Sequence, residues 1–328
     1  MRPFGYSRPT QVAEAIAQER RQPETKFLGG GTNLVDLMKM GVEQPAHLVD
    51  ITRLPLAQIQ EHPNGIRIGA LARNSEVAAH PLILQKHPVL SQAILAGASP
   101  QIRNMATTGG NLLQRTRCFY FYDPSYTECN KRVPGSGCAA IQGYNRIHAI
   151  LGGSEQCIAT YPGDMAVALT ALNARVVVTG PQGERTIPID EFYRLPGNTP
   201  HIEHDLKRDE LIVAVEIPQE PSTGSHYLKV RDRNSFAFAL VSVAAVVDLT
   251  ADNRIRQVRI ALGGVAPKPW RVPEAEESLR NAARVETAFR AAAEIIVKGA
   301  APHRYNGFKV ELARRSVVRA LLAASQRG

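Results

Sequence analysis

Apolar positions recur at helical spacing near the start of the chain. Pro9 and Thr10 precede QVAEAIAQER, which places Val12, Ala15 and Ile16 on one face. A short strand at 26–28 then runs into Gly29-Gly30-Gly31-Thr32-Asn33, and 33–40 predicts a helix with Leu34, Leu37 and Met38 inward. Strands are expected at 47–52 and 66–71, the second after an Asn64-Gly65 hairpin turn. Residues 75–99 read as mainly helical, cut by Pro81 and Pro88. A helix over 164–172 leads to a strand at 174–180, a turn at Pro181-Gln182-Gly183 and a strand at 210–218. The PSTG break at 221–224 sets the expected boundary between a domain of residues 1–222 and one of 223–328. Beyond it, 226–231, 240–250 and 255–266 predict a three-stranded sheet, and the chain after Pro273 reads as helical to the end. Strands followed by helices give an α+β second domain.

A chain of 328 residues with 44% hydrophobic side chains fits about two domains and excludes wholesale disorder. No apolar run approaches the roughly 20 residues of a membrane span. The first 27 residues lack an apolar core after a basic stretch, so no secretion signal is expected on this chain. The formal charge is +9, and it is unevenly placed. Residues 1–222 hold 21 basic and 21 acidic side chains, whereas 223–328 hold 18 and 9. No zinc-finger or RNP pattern accompanies that excess, so a solvated face or an acidic protein partner is expected rather than nucleic acid.

Two glycine-rich segments carry candidate chemistry. KFLGGGTNL comprises Lys26, Phe27, Leu28, Gly29, Gly30, Gly31, Thr32, Asn33 and Leu34, between a strand and a helix. Successive backbone N–H groups there can point at an anion, and glycine lets a diphosphate approach. The spacing matches neither common nucleotide fingerprint. A second loop comprises Thr107, Thr108, Gly109, Gly110 and Asn111 and repeats the same residue types. Two such loops suggest one ligand whose two phosphates are held from both sides. Asp164, in YPGD, reads as an N-cap for the helix after it, or as an acceptor for ligand hydroxyls.

Residues 114–155 form a long irregular stretch, which tends to mean function. All four cysteines, Cys118, Cys129, Cys138 and Cys157, lie in or beside it, without a C-x-x-C pair. Two disulfides, a four-thiolate zinc and a [4Fe–4S] cluster all remain open from spacing alone.

KFLGGGTNL, IRNMATTGGNLL and YPGDMAVAL together resemble the FAD-binding subunits of the xanthine dehydrogenase/molybdenum hydroxylase family, over the full chain. The cysteine-bearing insertion, about 114–157, is similar to that of the bacterial periplasmic aldehyde oxidoreductases, which are heterotrimers. The resemblance implies a vanillyl-alcohol-oxidase-like (PCMH-type) FAD domain of two α+β subdomains and a smaller α+β C-terminal domain. It implies that Lys26 to Leu34 and Thr107 to Asn111 hold the FAD diphosphate and its surroundings. Asp164 would meet ribityl or ribose hydroxyls, and Lys229 would lie near the flavin ring. The four cysteines would ligate a [4Fe–4S] cluster with an expected redox role, since the insertion joins both ends of the flavin-binding region. Implied partners are a small [2Fe–2S] subunit and a large molybdenum-cofactor subunit that oxidises an aldehyde, with an external acceptor taking electrons from FAD. No catalytic residue is expected on this chain. The expected location is the periplasm, by export with a signal-bearing partner; the alternative is the cytoplasm. A self-contained flavoprotein oxidoreductase and a zinc-stabilised scaffold are the competing functions.

Overall fold

The computed structural model describes residues 1–326. Its strands form three sheets. The first is parallel, with β1 (Gly5–Ser7) and β2 (Thr25–Leu28) on either side of β3 (His47–Asp50). The second is antiparallel and is built from β4 (Ile59–His62), β5 (Gly65–Gly69), β6 (Arg175–Gly180), β7 (Gly183–Pro188) and β8 (Leu211–Pro218). Its order is β4-β5-β8-β6-β7, so the hairpin at Asn64-Gly65 and the late strand β8 lie side by side. The third is an antiparallel meander of β9 (Gly224–Val230), β10 (Val241–Leu249), β11 (Ile255–Gly263) and β12 (Trp270–Arg271). This last sheet therefore has four strands, not the three expected. β12 is two residues long, too short to leave an alternation signal.

β10 is buried at every position, as its nearly continuous apolar run requires. One face, with Ala244 and Val246, joins the core under the helices Pro88–Ala96 and Asp164–Ala171. The other, with Val243, Ala245 and Val247, packs on the helices Glu286–Val297 and Phe308–Ser325. The last sheet is thus a layer shared by both cores. The helix Asp164–Ala171 is apolar nearly all round because it is enclosed on all sides; only Asp164 at its start is not fully buried.

The chain after Pro273 is not one helical run. It breaks between Pro273–Glu277, Glu286–Val297 and Phe308–Ser325. The insertion, expected as irregular, holds two single-turn helices, Phe119–Tyr122 and Ala139–Gln142.

Candidate functional site

A cleft of about 310 Å³ opens between the helices Leu34–Lys39, Pro88–Ala96 and Asp164–Ala171, and β9. Thr32 and Asn33 line one wall, and Gly110 and Asn111 the next. Asp164 and Lys229 stand opposite. A second hollow adjoins it and shares Arg117, Pro162, Asp164 and Phe238. Together they make an elongated groove.

The two glycine-rich segments do different jobs. Among the described residues, no backbone acceptor takes the N–H groups of Gly30, Gly31, Thr32 or Asn33. These four successive donors are free for an anion at the start of the helix Leu34–Lys39. The second segment was expected as a loop of the same kind. It is instead the short helix Thr108–Leu112, with Thr107 Oγ1 capping Gly110 N at 3.3 Å. Its amides are spent inside the protein: Thr108 N on Ala72 O, Gly109 N on Ala70 O, and Asn111 N on Thr107 O.

The glycines also serve the protein itself. A Cβ at Gly30 would fall 1.9 Å from Met105 O, and one at Gly29 would fall 2.9 Å from Thr107 Oγ1. Gly31 has φ of +73°, which only glycine adopts freely. The first turn is therefore pressed against the segment that leads into the second. Lys26, Phe27 and Leu28 lie in β2 and carry that turn, and Leu34 starts its helix.

Asp164 is not the N-cap. Gly163 occupies that position and Asp164 is the first helical residue. Its carboxylate is drawn across the cleft floor, where Lys229 Nζ donates to Oδ2 at 2.8 Å and Tyr227 OH to Oδ1 at 2.7 Å. Lys229 Nζ also donates to Ala96 O at 3.1 Å. The lysine sits on the edge strand β9, yet its side chain is only 4% exposed, so it is not a surface residue. Each Asp164 oxygen keeps a second lone pair for a ligand hydroxyl.

Sequence reasoning missed the basic residues of the cleft. Arg103 lines it and donates to the carbonyls of Gly97 (2.6 Å) and Leu95 (3.4 Å), which leaves its charge uncompensated by either contact. Arg117 lies 3.2 Å from Asp36 and over the Phe238 ring. Arg103 belongs to the IRNM run, so a basic residue beside the second glycine pair was the available signal.

The four cysteines come together. Cys118, Cys129, Cys138 and Cys157 line one small hollow, walled by Tyr120, Phe121 and Ala159. All four are free thiols. Among the described residues, no three His, Cys, Asp or Glu side chains converge tightly enough for a single metal ion. A lone tetrahedral zinc would draw its sulfurs to about 2.3 Å from one point. Backbone N–H donors reach this site: Ala159 N donates to Cys157 Sγ at 3.4 Å. Such donors suit thiolates bound to an iron–sulfur core.

Burial pushes the Cys118 thiol up to about 12. The hydrogen bond between Cys157 and Cys138 lowers Cys138 and raises Cys157, and burial raises Cys157 further. Thiols as dry as Cys118 and Cys157 lose their protons to a bound metal rather than to water.

The two sites meet through one helix. Asn33 Oδ1 accepts from Arg115 N at 2.9 Å, which is why it does not cap its own helix. Asn33 Nδ2 donates to Tyr122 OH at 3.3 Å. Leu37, one turn on, packs into the cysteine core.

A cleft with free amides at a strand–helix turn and Arg103 beside them can take a nucleotide diphosphate, and a thiol-lined site adjoins it. The family profile described as FAD binding domain in molybdopterin dehydrogenase matches residues 2–220. That described as CO dehydrogenase flavoprotein C-terminal domain matches 226–324. The chain is 50% identical to the aldehyde oxidoreductase FAD-binding subunit PaoB of Escherichia coli (strain K12), over 99% of both chains. It is 30% identical to the nicotine 6-hydroxylase medium subunit of Paenarthrobacter nicotinovorans, over 96% of each. Carbon monoxide dehydrogenase from Hydrogenophaga pseudoflava, in a form lacking the Mo-pyranopterin moiety of the molybdenum cofactor, superposes with a TM-score of 0.78. That match has 28% identity and covers 100% of this chain and 99% of the other. The chain belongs to the family of FAD-binding subunits of the xanthine dehydrogenase/CO dehydrogenase type. No helix among the described residues is long and apolar enough to cross a membrane.

Proposed function

We propose that this chain is the electron-transfer flavoprotein subunit of a molybdenum-dependent aldehyde oxidoreductase. The observation that carries this reading is 50% identity, end to end, with an aldehyde oxidoreductase FAD-binding subunit. The cleft agrees with it. Gly30, Gly31, Thr32 and Asn33 would hold the FAD diphosphate through their free amides, with Arg103 and Arg117 countering its charge. Gly110 and Asn111 would face it from the adjoining wall, while Thr107 braces the first turn at Gly29 and Thr108 and Gly109 anchor the second segment to Ala72 and Ala70. Asp164 would accept from its hydroxyls, and Lys229 would hold Asp164 in place. Bound FAD supplies the two-electron chemistry.

Cys118, Cys129, Cys138 and Cys157 would hold a [4Fe–4S] cluster, since four free thiols converge on one buried hollow and Cys157 Sγ already accepts from a backbone amide. The aldehyde would be oxidised on a large molybdenum-cofactor subunit. A small [2Fe–2S] subunit would bring the electrons here, and an external acceptor would remove them. The proposed location of this heterotrimer is the periplasm, by export with a signal-bearing partner.

An absorption spectrum with metal analysis tests the reading. Flavin bands near roughly 450 nm over a broad iron–sulfur background are expected. A colourless, zinc-loaded protein would refute it. Flavin reduction by aldehyde in this chain alone would favour a self-contained oxidoreductase instead.

A further inference from the structure

His148 Nε2 lies 3.1 Å from Cys118 Sγ. The imidazole is 1% exposed, and its Nδ1 has no hydrogen-bond partner among the described residues. Among the described residues, the sulfur is the one polar atom within hydrogen-bond geometry of the ring.

The C-terminal domain holds the histidine there. Asn306 Nδ2 donates to His148 O at 3.3 Å and to Ala149 O at 3.1 Å. Lys309 Nζ donates to His148 O at 2.8 Å, and it also bonds Gly264 O. Asn306 and Lys309 are both fully buried. A buried ammonium carries a desolvation cost, so placing one beneath a loop is a strong constraint on that loop. On the other side, Asn145 Oδ1 accepts from Tyr305 N at 3.0 Å. Residues 303–309 thus strap down the segment that presents the imidazole.

We propose that His148 is a positioning residue for the cysteine-held cluster, donating Nε2–H to the sulfur of Cys118 and making the cluster easier to reduce. This rests on the cluster reading given above. An iron-bound sulfur carries no proton, so the imidazole is the donor. Reduction adds one electron, breaks no bond and increases the negative charge on the sulfurs. A hydrogen bond to that charge favours the reduced form.

The test is a potentiometric titration of the assembled complex followed by electron paramagnetic resonance, with iron and acid-labile sulfide assays. Wild type, His148→Phe and His148→Gln are compared. Phe fills the space without donating, and Gln restores an N–H near the Nε2 position. His148→Phe should shift the reduction equilibrium about tenfold toward the oxidised form, a potential lower by about 59 mV for one electron. His148→Gln should recover at least half of that shift. Full iron in all three with potentials within about twofold in the equilibrium would overturn the proposal. Loss of iron in His148→Phe that His148→Gln restores supports the donor role. Loss in both makes His148 a packing residue and overturns it. A wild-type complex without about four irons per copy of this chain beyond those of its [2Fe–2S] subunit would sink the cluster reading itself.

Discussion

The flavin cleft and the cysteine hollow are built in opposite ways. The cleft is walled by regular elements with a core of their own, β9 and the helices Pro88–Ala96 and Asp164–Ala171, the last embedded in the largest core, and by the helix Leu34–Lys39. Its polar floor is tied by the Asp164–Lys229 pair before anything binds. The hollow has no such frame. Its core is the four cysteines with Leu37, Phe121, Ala140, Ile158 and Ala159, and around it Phe119, Tyr126, Val133 and Tyr144 stand exposed. One site is a preformed receptor, whereas in the other the ligands are the core. Binding free energy of the proposed cluster would then be folding free energy.

The comparison can be broken at four places. The largest effect is expected at the hollow. Cys129→Ser with Cys138→Ser should open residues 119–157 to protease, while FAD content stays within about twofold. Limited proteolysis with mass spectrometry and flavin absorbance checks this, and an insertion that stays resistant would mean that it has a core of its own. Next comes the cleft floor. Lys229→Met strands a buried carboxylate and should cost about 3–5 kcal/mol in urea unfolding of the apoprotein, with most of it recovered by adding Asp164→Asn. A smaller effect separates the two glycine segments. Gly30→Ala drives a methyl into Met105 O and should weaken FAD binding by about tenfold or more. Gly110→Ala meets only the Thr107 hydroxyl, at 2.9 Å, and should weaken it less. Equal losses would mean that both segments hold the diphosphate alike.

The division between these sites was legible in the sequence, but their wiring was not. The strand-to-helix passage at Leu28–Leu34 stands out because glycines interrupt a clear change of period, and the cysteines stand out by clustering. The difference between Gly30 and Gly110 does not. The same residue types sit in one turn whose amides are free and in another whose amides are bonded to Ala70 and Ala72, and only the fold brings those carbonyls close. Lys229 reads as an edge-strand lysine until the helix Asp164–Ala171 is laid across it. β12 and the single-turn helices of the insertion are shorter than the periods that reveal such elements.

The smallest effect concerns how the insertion is fastened to its host. Glu203, outside the insertion, takes Arg115 Nε at 2.5 Å and Lys131 Nζ at 2.8 Å. These two residues flank Cys118 and Cys129, so one carboxylate fastens both approaches to the hollow. Burial alone would raise Glu203, but the charges of Arg115 and Lys131 outweigh it and hold the carboxyl at about 2, against an ordinary 4.5. A depressed folded-state value stabilises fully above the unfolded value and is lost as pH falls through the folded one. The attachment should therefore hold above pH 4.5 and weaken as pH falls from there through about 2. Hydrogen exchange of peptides spanning 115–157, corrected for intrinsic pH dependence, should rise over that window ahead of peptides from β10. Glu203→Gln should raise exchange at neutral pH and flatten the acid response, because the charge that titrates is gone. A wild-type insertion whose protection is unchanged down to pH 2 would show that packing around the thiols, rather than this carboxylate, fastens it.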